Sequence, residues 1–109
     1  MKSINIEIEK EKYTLKLTNR AAIKWENMNY RSFGKITNSL ADLFSLMYAC
    51  LAVNNEHFDY KYNEFLDIMD DNIKELNKFT NYFNQMTDIS EEDKKKLKKK
   101  AEMLINLKS

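Results

Sequence analysis

The chain contains no proline and, in 109 residues, one glycine, one cysteine and one histidine. A single cysteine, Cys50, excludes a disulfide framework and any cysteine-rich zinc site, and it suits a reducing compartment. A single histidine, His57, stands in an Asn/Glu-rich connection without a second imidazole or thiol nearby. Zinc needs about four ligands, so no metal site is expected. One glycine cannot build a phosphate-cradling loop. The adjacent acid pairs Asp70-Asp71 and Glu91-Glu92 do not face each other across a cleft, and capping and solvation explain them better than acid–base work. Cys50 lies in a crowded apolar segment without a base beside it, as a small buried hydrophobe does. The expectation is a protein without catalysis or cofactor. No apolar run approaches about 18 residues, so no transmembrane helix is expected, and Met1-Lys2-Ser3 leads into alternation rather than into a signal-peptide core.

What the chain has is a charge asymmetry and an ordered set of hydrophobic periods. Residues 94–109 carry seven Lys and one Glu, whereas the remainder carries an acidic excess. Ile4, Ile6 and Ile8 alternate with polar residues, as do Tyr13, Leu15 and Leu17, which predicts strands over 4–8 and 13–17. The charged residues Glu9 to Lys12 would connect them as a hairpin, and a two-stranded hairpin needs something to lie on.

Helices supply it. Thr18 is a candidate N-cap for a helix over about 19–30, in which Ala21, Ala22, Ile23, Trp25, Met28 and Tyr30 share one wide arc. Glu26 interrupts that arc, and a carboxylate there requires a backbone or lysine partner; Glu26→Gln is expected to destabilise the fold. After a loop around Gly34, a helix over about 38–54 is apolar nearly all round beyond Leu46, which marks it as central. Asn54-Asn55 is its stop. Asp59 is the expected cap of a short helix carrying Phe65, Leu66 and Met69, followed by a helix over about 72–86 with Ile73, Leu76, Phe79, Thr80, Tyr82, Phe83 and Met86 on one side. Ser90 and Asp93 approximate a capping box for a last, narrow-striped, lysine-rich helix over 90–109. The fold class is therefore α+β, mostly α: a hairpin packed on four to five helices, with one domain over 1–89 and the lysine-rich helix appended.

The aromatic residues are numerous for so small a core, and an uncovered aromatic face would mark a partner site. Trp25, Tyr30, Phe33, Phe79, Tyr82 and Phe83 are the candidate partner-binding residues, because aromatics dominate interface hot spots.

Two strands running into Leu17-Thr18-Asn19-Arg20-Ala21-Ala22-Ile23-Lys24-Trp25-Glu26 are followed by the central Leu40-x-x-Leu43-Phe44-x-Leu46-Met47-Tyr48-Ala49-Cys50-Leu51. The acid-rich Glu64-Phe65-Leu66-Asp67-Ile68-Met69-Asp70 comes next. This succession, over about residues 1–86, resembles the tail assembly chaperones of long-tailed bacteriophages and related prophages. Its most specific part is Leu-Thr-Asn-Arg-Ala with a Glu six residues after the Arg. The resemblance implies a non-catalytic α+β protein of the bacterial cytoplasm that coats the helical tape measure protein until the tail tube forms. It also implies self-association, and a longer form made by ribosomal frameshifting. Thr18, Asn19, Arg20 and Glu26 match the family pattern; the resemblance gives Arg20 a structural role, pairing with an acid or closing the helix start.

A tape measure helix shows apolar stripes to water, and many weak copies of a helical binder would mask them. The competing reading is a nucleic-acid-binding accessory protein using Lys94–Lys96 and Lys98–Lys100. No aromatics interleave those lysines, so stacking or groove readout has no residues to use, and nucleic acid is not the expected partner.

Overall fold

The computed structural model describes residues 2–87. The isoleucine alternation produces strand β1 (Ile4–Ile8), which pairs antiparallel with β2 (Glu11–Leu15) in the register Ile4↔Leu15, Ile6↔Tyr13, Ile8↔Glu11. Ile6, Ile8, Tyr13 and Leu15 are buried on one face, which lies on the helices. The hairpin is tighter than the sequence indicates. Only Glu9 and Lys10 turn the chain, both at positive φ (51° and 69°), a backbone that matches strand twist but favours Gly and Asn. Strand β2 consequently starts at Glu11 and stops at Leu15 rather than Leu17. The Leu17 N–H leaves the ladder to donate to the Tyr82 hydroxyl (2.8 Å), and that hydroxyl donates in turn to the Lys2 carbonyl (2.7 Å).

Helix α1 (Asn19–Asn29) begins where expected. Thr18 Oγ1 accepts from the Ala21 N–H at 3.1 Å, satisfying one free donor of the first turn. Its inner side, Ala21 and Trp25, lies on α2 (Leu40–Asn54), which starts after the Ser39 cap. Helix α2 buries Asp42, Leu43, Ser45, Leu46, Met47, Ala49, Cys50 and Leu51, and it touches β2 and all three other helices. It is the central element that its unbroken hydrophobicity predicts.

Helix α3 (Tyr62–Met69) starts later than a cap at Asp59 would place it. The carboxylate that satisfies its start is Glu64, whose Oε1 accepts the Lys61 N–H at 3.0 Å. Tyr60 and Lys61 therefore separate Asp59 from the helix. Helix α4 (Ile73–Thr87) places Leu76, Phe79, Thr80, Tyr82 and Phe83 in the core, and it packs on β1, α2 and α3. The result is the α+β, mostly α architecture: one hairpin and four helices among the described residues. The lysine-rich segment 90–109, with its Ser90 cap, lies outside the described residues.

Side chains close off the hairpin on both flanks. On the outer side of β1, the Glu7 N–H donates to Glu75 Oε2 of α4 at 2.8 Å. On the outer side of β2, Asn55 Oδ1 accepts the Thr14 N–H (3.0 Å) while its Nδ2 donates to the Thr14 carbonyl (2.7 Å). Asn54 Nδ2 donates to the Lys16 carbonyl at 2.8 Å. Two consecutive amides at the end of α2 thus stand where a third strand would run.

Candidate interaction surface

The structure separates the six aromatic candidates, and four of them belong to the core. Trp25 is fully buried, and its Nε1 donates to Ser45 Oγ at 2.9 Å. Phe79 and Phe83 stack with ring centroids 6.0 Å apart, and Tyr82 spends its hydroxyl on the two backbone groups of the hairpin. These four cannot present area to a partner in this conformation. The reason is economy of volume: α4 meets β1, α2 and α3, so its apolar half is covered rather than left over. Phe33 is half-buried, its ring edge-on to Trp25 at 5.7 Å. Tyr30 alone among the six is fully in water, at 92% exposure.

A polar node holds the loop between α1 and α2 and so fixes where Tyr30 stands. Asp42, buried in the first turn of α2, receives the Arg31 guanidinium through both oxygens, the Thr37 N–H (2.8 Å) and the Thr37 hydroxyl (2.7 Å). Burial pushes the Asp42 carboxyl up, but Arg31 and the two Thr37 donors outweigh it and hold the group below its ordinary value. Arg31 also lies over the Trp25 ring, with Cζ 5.0 Å from its centroid. Glu26, the carboxylate inside the apolar arc, finds a backbone partner: its Oε2 accepts the Phe33 N–H at 2.7 Å. Both bonds tie residues 31–37 back onto the helices.

Tyr30 closes α1 with its own N–H donating to the Glu26 carbonyl at 2.8 Å and a left-handed backbone, φ 53°. That position usually holds Gly or Asn, and any other L-residue there costs on the order of 1 kcal/mol. The tyrosine recovers none of this by burial, since its ring is in solvent.

The remaining outer face of α1 carries Arg20, Ile23, Lys24, Asn27 and Met28, which line a shallow depression. Ile23 is 56% exposed, and it and Tyr30 are the large hydrophobic residues left in water among the described residues. Arg20 is exposed and forms no ion pair among the described residues, so pairing with an acid is not its role there. It stands in the first turn of α1, which holds no acidic residue, where the macrodipole disfavours a cation. Asn19 is exposed beside it, and Lys24 extends over the Tyr48 ring at 5.9 Å. One signal for Ile23 lies in the helical pattern itself. The apolar arc of α1 is too wide to be covered by one neighbouring helix, so residues at its margin must emerge.

Elsewhere the chemistry is quiet. Burial pushes the Cys50 thiol up to about 12, which keeps it protonated. His57 is exposed and stacks on Tyr13 at 4.8 Å. Burial and the Glu9 carboxylate, which accepts the Tyr60 hydroxyl at 3.2 Å, push Tyr60 up to about 12. Among the described residues no group of three or more His, Cys, Asp or Glu converges to hold a metal, and no helix is long and apolar enough to cross a membrane. Comparison with protein-family models, with curated proteins and with solved structures returned no match.

Proposed function

We propose that the chain is a non-catalytic binding protein of the tail assembly chaperone type, which holds the helical tape measure protein in the bacterial cytoplasm before the tail tube forms. Two lines support this. The sequence resemblance is most specific over Leu17–Glu26, which is the stretch that builds the start of α1. The observation that carries it is that the exposed hydrophobic residues among those described, Ile23 and Tyr30, lie in that helix and at its end. Large hydrophobic residues left in water on one element are the kind of surface a partner covers. The surface is smaller than the aromatic content implied, so each copy would bind weakly and many copies would act together.

The test is co-expression with a tape measure protein, the long helical client that the resemblance implies. The client is expected to stay soluble with the chain, to precipitate without it, and to precipitate again with Ile23→Asp. A client equally soluble in all three cases refutes the proposal. Tight, steeply salt-dependent DNA binding that vanishes on removal of residues 94–109 would replace it with the nucleic-acid reading.

A further inference from the structure

We infer that the outer face of α1, from Arg20 to Tyr30, is a docking ridge for an amphipathic helix of another polypeptide whose apolar stripe is flanked by acidic side chains. The inference rests on the binding role proposed above and adds the surface and the chemistry of what it binds.

Three departures from local rules fall on α1 and the residue that caps its end. Ile23 is a large aliphatic side chain 56% in water. Arg20 is a cation in the turn where a helix favours anions, and neither it nor Lys24 forms an ion pair with a carboxylate among the described residues. Tyr30 holds a left-handed backbone that Gly would adopt freely, and it does so with its ring exposed. Lys24 is steadied by the Tyr48 ring, but Ile23, Arg20 and Tyr30 have no such compensation among the described residues, and rules broken together mark a surface shaped by something outside it.

The chemistry of that something follows from the side chains. Arg20, and Lys24 from its place over the Tyr48 ring, favour carboxylates over other neighbours. Ile23 and Tyr30 require an apolar stripe, and the distance from Arg20 to Tyr30 along the axis, roughly 15 Å, matches two to three turns of a helix laid against α1. A phosphate backbone would answer the two cations and leave Ile23 in water. The chain's own acid-bearing helix, α3, has exposed Glu64 and Asp67, but its apolar side, Phe65 and Met69, is buried in the core. A second copy therefore has no stripe on α3 to receive Ile23. Arg31 is not part of the ridge, because Asp42 already holds it.

The experiment uses the full chain and two labelled 18-residue helical peptides with the same leucine stripe, one flanked by Glu and one by Lys, read by fluorescence anisotropy. The Glu-flanked peptide is expected to bind at least about tenfold more tightly than the Lys-flanked one, and Arg20→Glu with Lys24→Glu is expected to reverse the preference. Tyr30→Gly separates binding from folding: it should raise the thermal midpoint while weakening the Glu-flanked peptide by roughly five- to tenfold. Equal binding of both peptides, no binding of either, or no reversal overturns the inference. So does a dimer in sedimentation that Ile23→Asp dissociates, which would make the face an interface between copies. A chain that binds the Glu-flanked peptide but fails to solubilise the tape measure protein refutes the proposed function and leaves the ridge standing. The opposite pair of results refutes the ridge alone.

Discussion

Replacing Asn55 should weaken the fold more than a residue at a helix end usually does. Asn55 is 8% exposed, and its amide makes three hydrogen bonds: Oδ1 accepts from the Thr14 N–H, and Nδ2 donates to the carbonyls of Thr14 and of Leu51 (2.9 Å). At about 1 kcal/mol net for each bond, Asn55→Ala removes roughly 2–4 kcal/mol, with the lower end applying if water reaches Thr14. For a domain this size that is a fall of about 10–20 °C in Tm. Asn55→Asp is the sharper variant. It keeps the acceptor for the Thr14 N–H but sets a carboxylate oxygen against two carbonyls, so near neutral pH it should be at least as damaging as Ala.

The pH dependence has a defined sign. Crowding by the two carbonyls raises the folded-state pKa of the introduced aspartate, and its protonated form can donate to one of them. The lost stability should return below about pH 4, the unfolded value, and disappear again as pH rises through the folded value. Urea unfolding followed by Trp25 fluorescence measures both effects. Asn55→Ala within about 0.5 kcal/mol of the parent, or Asn55→Asp equal to the parent at pH 7, would refute the claim that this amide stands in for a strand.

Three further outcomes are expected. Glu26→Ala should cost about 1–3 kcal/mol by orphaning the Phe33 N–H, whereas Glu26→Gln, which keeps an acceptor oxygen, should cost well under half of that; chemical denaturation distinguishes them. Asp42 is held below its ordinary value, so its contribution is complete above about pH 4, the unfolded pKa, and is lost as pH falls through the folded value; Asp42→Asn should be less stable by about 1–3 kcal/mol at pH 7 and flatter in acid titrations of Tm. Lys10→Gly relieves a left-handed backbone in the hairpin turn and should raise stability by up to about 1 kcal/mol, seen as a higher urea midpoint at unchanged slope.

Much of the fold was legible because periodicity reports which residues share a face. Ile4, Ile6 and Ile8 announced β1, Thr18 announced the start of α1, and the apolar run after Leu46 announced a helix touched on several sides. The tight turn at Glu9-Lys10 was hidden, since neither residue advertises positive φ. Asn54-Asn55 read correctly as a terminator, but their grip on β2 is a long-range contact that no local pattern encodes. The surface was less legible than the fold. Aromatic identity cannot tell a buried ring from a presented one, so Trp25, Phe79, Tyr82 and Phe83 went to the core, and the aliphatic Ile23 emerged instead. That Glu26 finds a partner follows from the cost of leaving a carboxylate unpartnered; that the partner is the Phe33 N–H rather than a lysine is set by the loop and is not visible in the sequence.

The amides of Asn54 and Asn55 on one flank of the hairpin and the carboxylate of Glu75 on the other act as stoppers. A bare ribbon edge zips onto its neighbour's when chains crowd, and fibres grow from such contacts. Here part of each rim is already held from within the same molecule, at Glu7 on one strand and at Thr14 and Lys16 on the other. A neighbouring chain would find those backbone groups taken and could not extend the ribbon through them.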